Sequence, residues 1–172
     1  MSTFAGNRAG AVPPREDWPE APARTMAGDA LTELIVATFR LNAVLIDIAQ
    51  QLASAGGLTA AWWQVLGGVL DQPRSVADIG RRMGMTRQGV QRVADLLVER
   101  GLAEYRPNPA HRRAKLLACT ETGYWAGRQI SLVQRPWADQ IATGIGATKL
   151  QDALHTTHRL IAVLETTEPN PE

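Results

Sequence analysis

Residues Ser75 to Leu102 read SVADIGRRMGMTRQGVQRVADLLVERGL, and their capping residues and glycines predict the core of the fold. The first residue, a serine, stands three residues before Asp78, a spacing typical of a capped helix start. Gly84 predicts the end of this short helix. Thr86 can cap a second helix that stops at Gly101. Two short helices joined by a glycine-containing turn predict a helix-turn-helix.

The second helix of this pair has one apolar and one polar side. At 100° per residue, the apolar side gathers Val90, Val93, Ala94 and Leu97. The N-terminal half of the polar side exposes Arg87, Gln88, Gln91 and Arg92. Arg and Gln hydrogen-bond the edges of guanine and adenine, and a helix N-terminus attracts phosphate. The pattern is typical of a recognition helix in the major groove, although any solvated helix face carries such residues.

A β-hairpin with a basic tip is predicted directly after the helix pair. Candidate strands cover 102–106 and 115–119, and the loop between them contains turn-forming Pro and Asn. The tip carries His111, Arg112, Arg113 and Lys115. A lone basic loop is usually an ordinary solvated loop. Its position after a helix-turn-helix favours a wing that contacts DNA.

Long helices are predicted on both sides of this core. Apolar residues from Leu31 to Leu52 follow a 3,4 spacing with a second apolar strip beside it, so the helix needs two neighbours, one of which can be another subunit. Thr59 can cap the helix before the helix pair. Thr120 can cap a helix that Pro136 should kink, and Thr148 with Gln151 resembles a capping box for the last helix.

The predicted fold class is therefore mainly α with a small β-hairpin wing: a winged helix-turn-helix core between long N- and C-terminal helices. We expect a disordered tail at 1–28, a long helix at 29–56, a DNA-binding domain at 58–119, further helices at 120–166 and a frayed tail at 167–172.

Composition and charge distribution limit the kinds of protein that this chain can be. The net charge of +1 conceals a split, because ten Lys or Arg and only five Asp or Glu lie between Asp71 and Lys115. The single cysteine excludes an internal disulfide, and the start has no secretory pattern. Charges at Glu33, Arg40 and Asp47 interrupt the most apolar stretch, which argues against a membrane helix. We expect a cytoplasmic protein that does not contact membranes.

The chain resembles the winged-helix core of the MarR family from about Leu58 to Gly123. The matching pieces are LTAAWWQVLGGVLD, SVADIGRRMGMTRQGVQRVADLLVERGLAEYRPNP and HRRAKLLACTETG. The resemblance implies a homodimer in which the N-terminal helix at 29–56 and the C-terminal helices at 120–166 are the dimerisation helices. It also implies that the dimer binds palindromic operators and is often released by a small, frequently aromatic ligand. The family's wing usually carries Asp-x-Arg. Here His111 stands at the Asp position, Arg113 is kept, and Asp95 is the matching ion-pair partner on the recognition helix.

The remaining candidate sites are weaker. Trp62 and Trp63 are mainly core residues, and one indole is a candidate for lining a ligand pocket. Cys119 replaces an apolar strand residue and is interpreted as inert rather than redox-sensing. His155 and His158 form an i, i+3 pair without the acids or cysteines that would complete a metal site. No catalytic motif and no cofactor site is found.

We therefore expect a sequence-specific DNA-binding regulator of transcription, a ligand-responsive repressor that is not an enzyme. The predicted DNA contacts are Ser75, Thr86, Arg87, Gln88, Gln91, Arg92, His111, Arg112, Arg113 and Lys115. The alternative is a winged helix that binds a protein partner and has lost DNA binding. An enzyme would need a reactive set of residues that this sequence does not offer.

Overall fold

A computed structural model describes residues 12–111 and 114–167. Six helices account for most of them: α1 (Met26–Ser54), α2 (Ala60–Gly67), α3 (Val76–Met83), α4 (Arg87–Glu99), α5 (Glu121–Ile145) and α6 (Ala147–Thr166). Three short strands complete the fold: β1 (Arg74–Ser75), β2 (Ala103–Arg106) and β3 (Leu116–Cys119). The predicted fold class, mainly helical with a small β-sheet wing, is confirmed.

The chain divides into two compact units, residues 1–42 and 43–172. In the first unit, residues 12–25 are exposed and contain one turn of 3-10 helix at Arg15–Asp17. Thr25 starts α1, because its hydroxyl accepts a hydrogen bond from the Gly28 backbone N–H at 3.0 Å. The remainder of this unit is the N-terminal part of α1.

In the second unit, four helices begin at the predicted capping residues. The side chains of Thr59, Ser75, Thr86 and Thr120 each accept a hydrogen bond from the backbone three residues on. Each of these bonds satisfies one of the N–H groups that a helix start leaves without an intrahelical partner. Gly84 ends α3 in the left-handed region at φ 63°, which allows the tight turn into α4.

The predicted capping box of the last helix is wrong. Gly146 separates α5 from α6 at φ 96°, and α6 begins at the next residue, Ala147. Thr148 therefore already lies inside the first turn, and the residue at the cap position has no side chain that could accept a hydrogen bond. Helix α5 runs without interruption across Pro136.

The predicted hairpin is present and belongs to a three-stranded antiparallel sheet of order β1-β3-β2. Ala103 pairs with Cys119 and Tyr105 with Leu117, while Ser75 pairs with Leu116 on the other edge of β3. Strand β1 was not predicted. Because β3 is the central strand, it joins the hairpin to the residue that caps α3.

The core of the second unit lies between the sheet and α2–α5. Its largest fully buried side chains include Leu66, Ile79, Leu97, Leu117 and Ile130. The predicted apolar side of α4 is buried as expected, with Val90, Ala94 and Leu97 fully enclosed. Among the described glycines, Gly123 is the most tightly packed, because an added Cβ would lie 2.1 Å from the Leu102 carbonyl oxygen. Among the described residues, no helix is both long and apolar enough to cross a bilayer.

Candidate nucleic-acid interface

The N-terminal half of α4 presents its polar side to solvent. Val90, Val93, Ala94 and Leu97 anchor the helix in the core, so the residues opposite them face outward. All five predicted contact residues here are exposed: Thr86, Arg87, Gln88, Gln91 and Arg92. The Thr86 side chain also caps the helix, since it accepts from the Gly89 N–H at 3.1 Å.

Ser75 holds the start of α3. Its hydroxyl accepts from the Asp78 N–H at 3.2 Å and donates to Asp78 Oδ2 at 2.5 Å, and Asp78 also pairs with Arg81. The bond from Ser75 and the charge of Arg81 hold the pKa of Asp78 below its usual value. The Ser75 side chain is thus engaged in this cap, and its position at the helix N-terminus is one that favours an anion.

Three side chains connect α4 to the sheet. Tyr105, on β2, donates its hydroxyl hydrogen bond to Asp95 Oδ1 at 2.7 Å. The Gln91 amide nitrogen donates to the same Asp95 oxygen at 2.9 Å and to the Tyr105 oxygen at 2.8 Å. Partial burial and the Asp95 carboxylate raise the pKa of Tyr105 to about 12, so the phenol is neutral near pH 7. We call Gln91, Asp95 and Tyr105 the α4–β2 trio.

The described part of the wing is built on Asn108. Its side-chain oxygen accepts from the Ala110 N–H at 3.0 Å, and its carbonyl oxygen accepts from the His111 N–H at 3.3 Å. His111 and Lys115 are exposed, and the Lys115 ammonium lies 5.7 Å from the centre of the Tyr105 ring, within cation–π range. Arg112 and Arg113 lie outside the described residues.

These elements border one groove of about 660 Å³ between α3, α4 and the wing. Its lining is mixed, and the polar side chains in it include Ser75, Arg81, Arg87, Gln91 and Lys115 together with the carboxylates of Asp78 and Asp95. Five of the predicted contacts line this groove: Ser75, Arg87, Gln91, His111 and Lys115. The α4–β2 trio connects α4 to β2, the first strand of the wing.

The predicted Asp95–Arg113 ion pair remains a prediction, because Arg113 lies outside the described residues. The partners of Asp95 in the described part are Gln91 and Tyr105. Sequence reasoning missed Tyr105. The sequence clue that could have found Tyr105 is its position on β2, two residues after the buried Ala103. Residues two apart on a strand lie on the same face of the sheet, so Tyr105 faces the same side as Ala103.

The structure also gives the surroundings of the weaker candidate residues. Trp62 and Trp63 are half-buried against the core, and the Arg100 guanidinium lies 4.9 Å from the centre of the Trp62 ring. Cys119 is buried, and this burial raises the pKa of its thiol to about 11. His155 and His158 are exposed on α6. Within residues 12–111 and 114–167, no group of three or more His, Cys, Asp or Glu is placed to hold a metal ion.

Comparison with known proteins gives the family. A model described as the MarR family matches residues 56–114, a segment that contains the helix pair and β2 and ends before β3. A curated relative, an uncharacterized protein of Mycobacterium tuberculosis strain H37Rv, is 36% identical over 141 residues, which are 82% of this chain and 99% of the relative.

Solved structures share the fold. The transcriptional regulator BldR from Sulfolobus solfataricus matches with a TM-score of 0.69 at 16% identity, over 81% of this chain and 99% of BldR. A mutant of Escherichia coli MarR, solved in complex with operator DNA, matches with a TM-score of 0.65 at 18% identity, over 80% of this chain and 99% of that one. Taken together, these findings show that the chain belongs to the MarR family of DNA-binding transcription regulators.

Proposed function

We propose that the protein is a ligand-responsive repressor that binds a palindromic operator as a homodimer. The observation that carries this proposal is the exposed N-terminal half of α4, which the Asp95–Tyr105 hydrogen bond holds beside the wing. A recognition helix needs its N-terminal residues free and its orientation fixed relative to a second DNA contact. The segment 58–119 is the DNA-binding domain of this proposal.

The proposed DNA contacts fall into three groups: base contacts from α4, phosphate contacts at two helix N-termini, and contacts from the wing. Arg87, Gln88, Gln91 and Arg92 face base edges in the major groove, where Arg pairs with guanine and amides with adenine. Ser75 and Thr86 stand at the N-termini of α3 and α4, where backbone N–H groups favour phosphate. His111, Arg112, Arg113 and Lys115 supply the wing's contacts to the backbone or the minor groove.

A homodimer is supported by apolar residues that the single chain leaves in solvent. Helix α6 buries none of its residues, although it carries Leu154, Ile161 and Leu164, each about half exposed. Leu132 and Val133 are exposed on α5, and Phe39 and Val44 are exposed on α1. Apolar helix faces of this kind are normally covered. We assign 29–56 and 120–166 to subunit contacts in a symmetric dimer.

We also propose that a small aromatic ligand releases the protein from DNA. The half-buried Trp62 and Trp63 are the candidate pocket residues, and Trp63 is the better candidate because Arg100 already stacks on Trp62. Aromatic acids that bind there are expected to quench tryptophan fluorescence and to weaken DNA binding in the same concentration range.

Selection of bound fragments from a random DNA pool, followed by gel shift at low salt, tests the proposal. The expected product is a palindrome with half-sites about 34 Å apart, one turn of the duplex. Sedimentation should give twice the chain mass of 18.7 kDa. No shift on any DNA would instead favour a winged helix that binds a protein partner. A sedimenting monomer would contradict the palindromic operator.

A further inference from the structure

The side-chain amide of Gln91 has a defined orientation. Its nitrogen carries two hydrogens, and two acceptors lie within 3 Å of it, Asp95 Oδ1 at 2.9 Å and the Tyr105 oxygen at 2.8 Å. The reverse orientation would point the amide oxygen of Gln91 at a carboxylate oxygen, which repels it. The negative charge of Asp95 therefore determines which end of the amide faces inward.

Tyr105 is held in a matching role. Its hydroxyl hydrogen is donated to Asp95 at 2.7 Å, so its oxygen is left to accept from Gln91. The raised pKa of Tyr105 agrees with a phenol that stays protonated as this donor. All three bonds of the α4–β2 trio can thus form together, with each hydrogen used once.

Both donors of Gln91 are consequently used inside the protein, and its oxygen is the atom left for a ligand. In the major groove, an acceptor can bind the amino group of adenine (N6) or of cytosine (N4), while guanine and thymine offer acceptors at the corresponding edge. The usual glutamine–adenine pair needs a free donor for N7 as well.

We propose that Gln91 reads an amino group rather than one particular base, and so accepts adenine or cytosine and rejects guanine and thymine on the strand it contacts. Asp95 and Tyr105 are positioning residues for this contact. The inference rests on the proposed function, because it needs α4 in the major groove. Beyond that function, it names the class of base that Gln91 selects.

The test uses the full chain and an operator selected from a random pool. Each position is replaced by all four bases, and the affinities of the wild type and Gln91→Ala are compared. We expect one position per half-site at which the wild type prefers A and C over G and T by about fivefold, and at which Gln91→Ala loses this preference. Gln72→Ala, which removes an exposed amide outside the trio and outside the predicted DNA contacts, should leave that position unchanged.

Tyr105→Phe tests the positioning role. It removes one acceptor of Gln91 while keeping the ring, so a freed N–H can reach N7 of adenine, and the preference for A over C should rise at the same position. Combined with Gln91→Ala, the same substitution should have no effect there. An equal effect in both backgrounds would overturn the positioning role.

Three results would overturn the proposed role of Gln91: a wild-type preference for adenine alone, a preference for G or T, or no position that responds to Gln91→Ala. These are distinct from failure of the proposed function, in which the pool yields no sequence at all. Circular dichroism of each variant checks that the fold is intact.

Discussion

Tyr105 donates a hydrogen bond to Asp95 across 2.7 Å, and this contact fixes the sheet against the middle of α4. Hydrogen bonds to charged groups are worth more than neutral ones, and partial exposure lowers the value here, so Tyr105→Phe should lower the free energy of unfolding by about 1 kcal/mol. Urea unfolding at one fixed protein concentration measures it.

A matched control is Tyr124→Phe, because the Tyr124 hydroxyl donates to a neutral acceptor, the Leu70 carbonyl oxygen, at 3.1 Å. Its loss should cost less, about 0.5 kcal/mol. In a double-mutant cycle, Tyr105→Phe and Asp95→Ala should be non-additive. Additive effects would show that the two residues do not interact.

The second prediction concerns alkaline pH. The Tyr105 pKa of about 12 in the folded protein lies above the ordinary value of 10.0. Between these values the unfolded chain releases the proton first, so this residue's contribution to stability is complete below pH 10 and is lost as the pH rises toward 12. In a spectroscopic titration, the phenolate absorbance that Tyr105→Phe removes should have its midpoint near 12. A midpoint near 10 for that component would contradict the contact with Asp95.

A third prediction concerns Cys119. Its pKa of about 11 leaves almost no thiolate at neutral pH, and the thiol is buried. We expect very slow reaction with a thiol reagent in the native protein, rapid reaction after unfolding, and DNA binding that peroxide does not change. Peroxide-dependent loss of DNA binding in the wild type, absent in Cys119→Ser, would assign a redox role to this residue.

The fourth prediction tests the packing at the start of α5. In Gly123→Ala, the new methyl would meet the Leu102 carbonyl oxygen at 2.1 Å and the Cys119 sulfur at 2.7 Å, and the first of these is backbone. The cost should reach about 3 kcal/mol, the upper end for overpacked cores. Gly127→Ala in the same helix is the control, because its nearest neighbour is a Leu70 methyl at 3.6 Å. Similar melting temperatures for the two variants would contradict this account.

The fifth prediction concerns salt. Arg112→Ala combined with Lys115→Ala should weaken binding to all sequences and reduce the slope of log affinity against log salt by about one for each phosphate that the variant no longer neutralises. Lys149→Ala, an exposed lysine of α6, serves as the control. If the wing variant keeps the wild-type slope, the tip does not bind phosphate.

The parts of the fold that sequence could predict are those that local chemistry determines. Thr59, Ser75, Thr86 and Thr120 were identifiable because a capping side chain reaches only three residues along the chain. The buried side of α4 followed from its periodicity. The cap of α6 was mispredicted, because a glycine with positive φ can restart a helix without any capping side chain.

The parts that sequence did not predict depend on contacts between distant residues. Strand β1 has two residues, too few to show a period, and it exists because β3 pairs with it. Tyr105 lies ten residues from Asp95, and their bond depends on how β2 packs beside α4. The orientation of the Gln91 amide follows from that packing, so the outward side of α4 was predictable but the atom it offers was not.

The central place of β3 has a consequence for engineering. Leu116 and Leu117 pair with the strand before α3 as well as with the hairpin's other arm. Grafting a foreign wing onto this scaffold would therefore have to keep these two leucines and exchange only the tip. A transplant that replaced the whole returning arm would also remove the pairing that anchors the first helix of the helix-turn-helix.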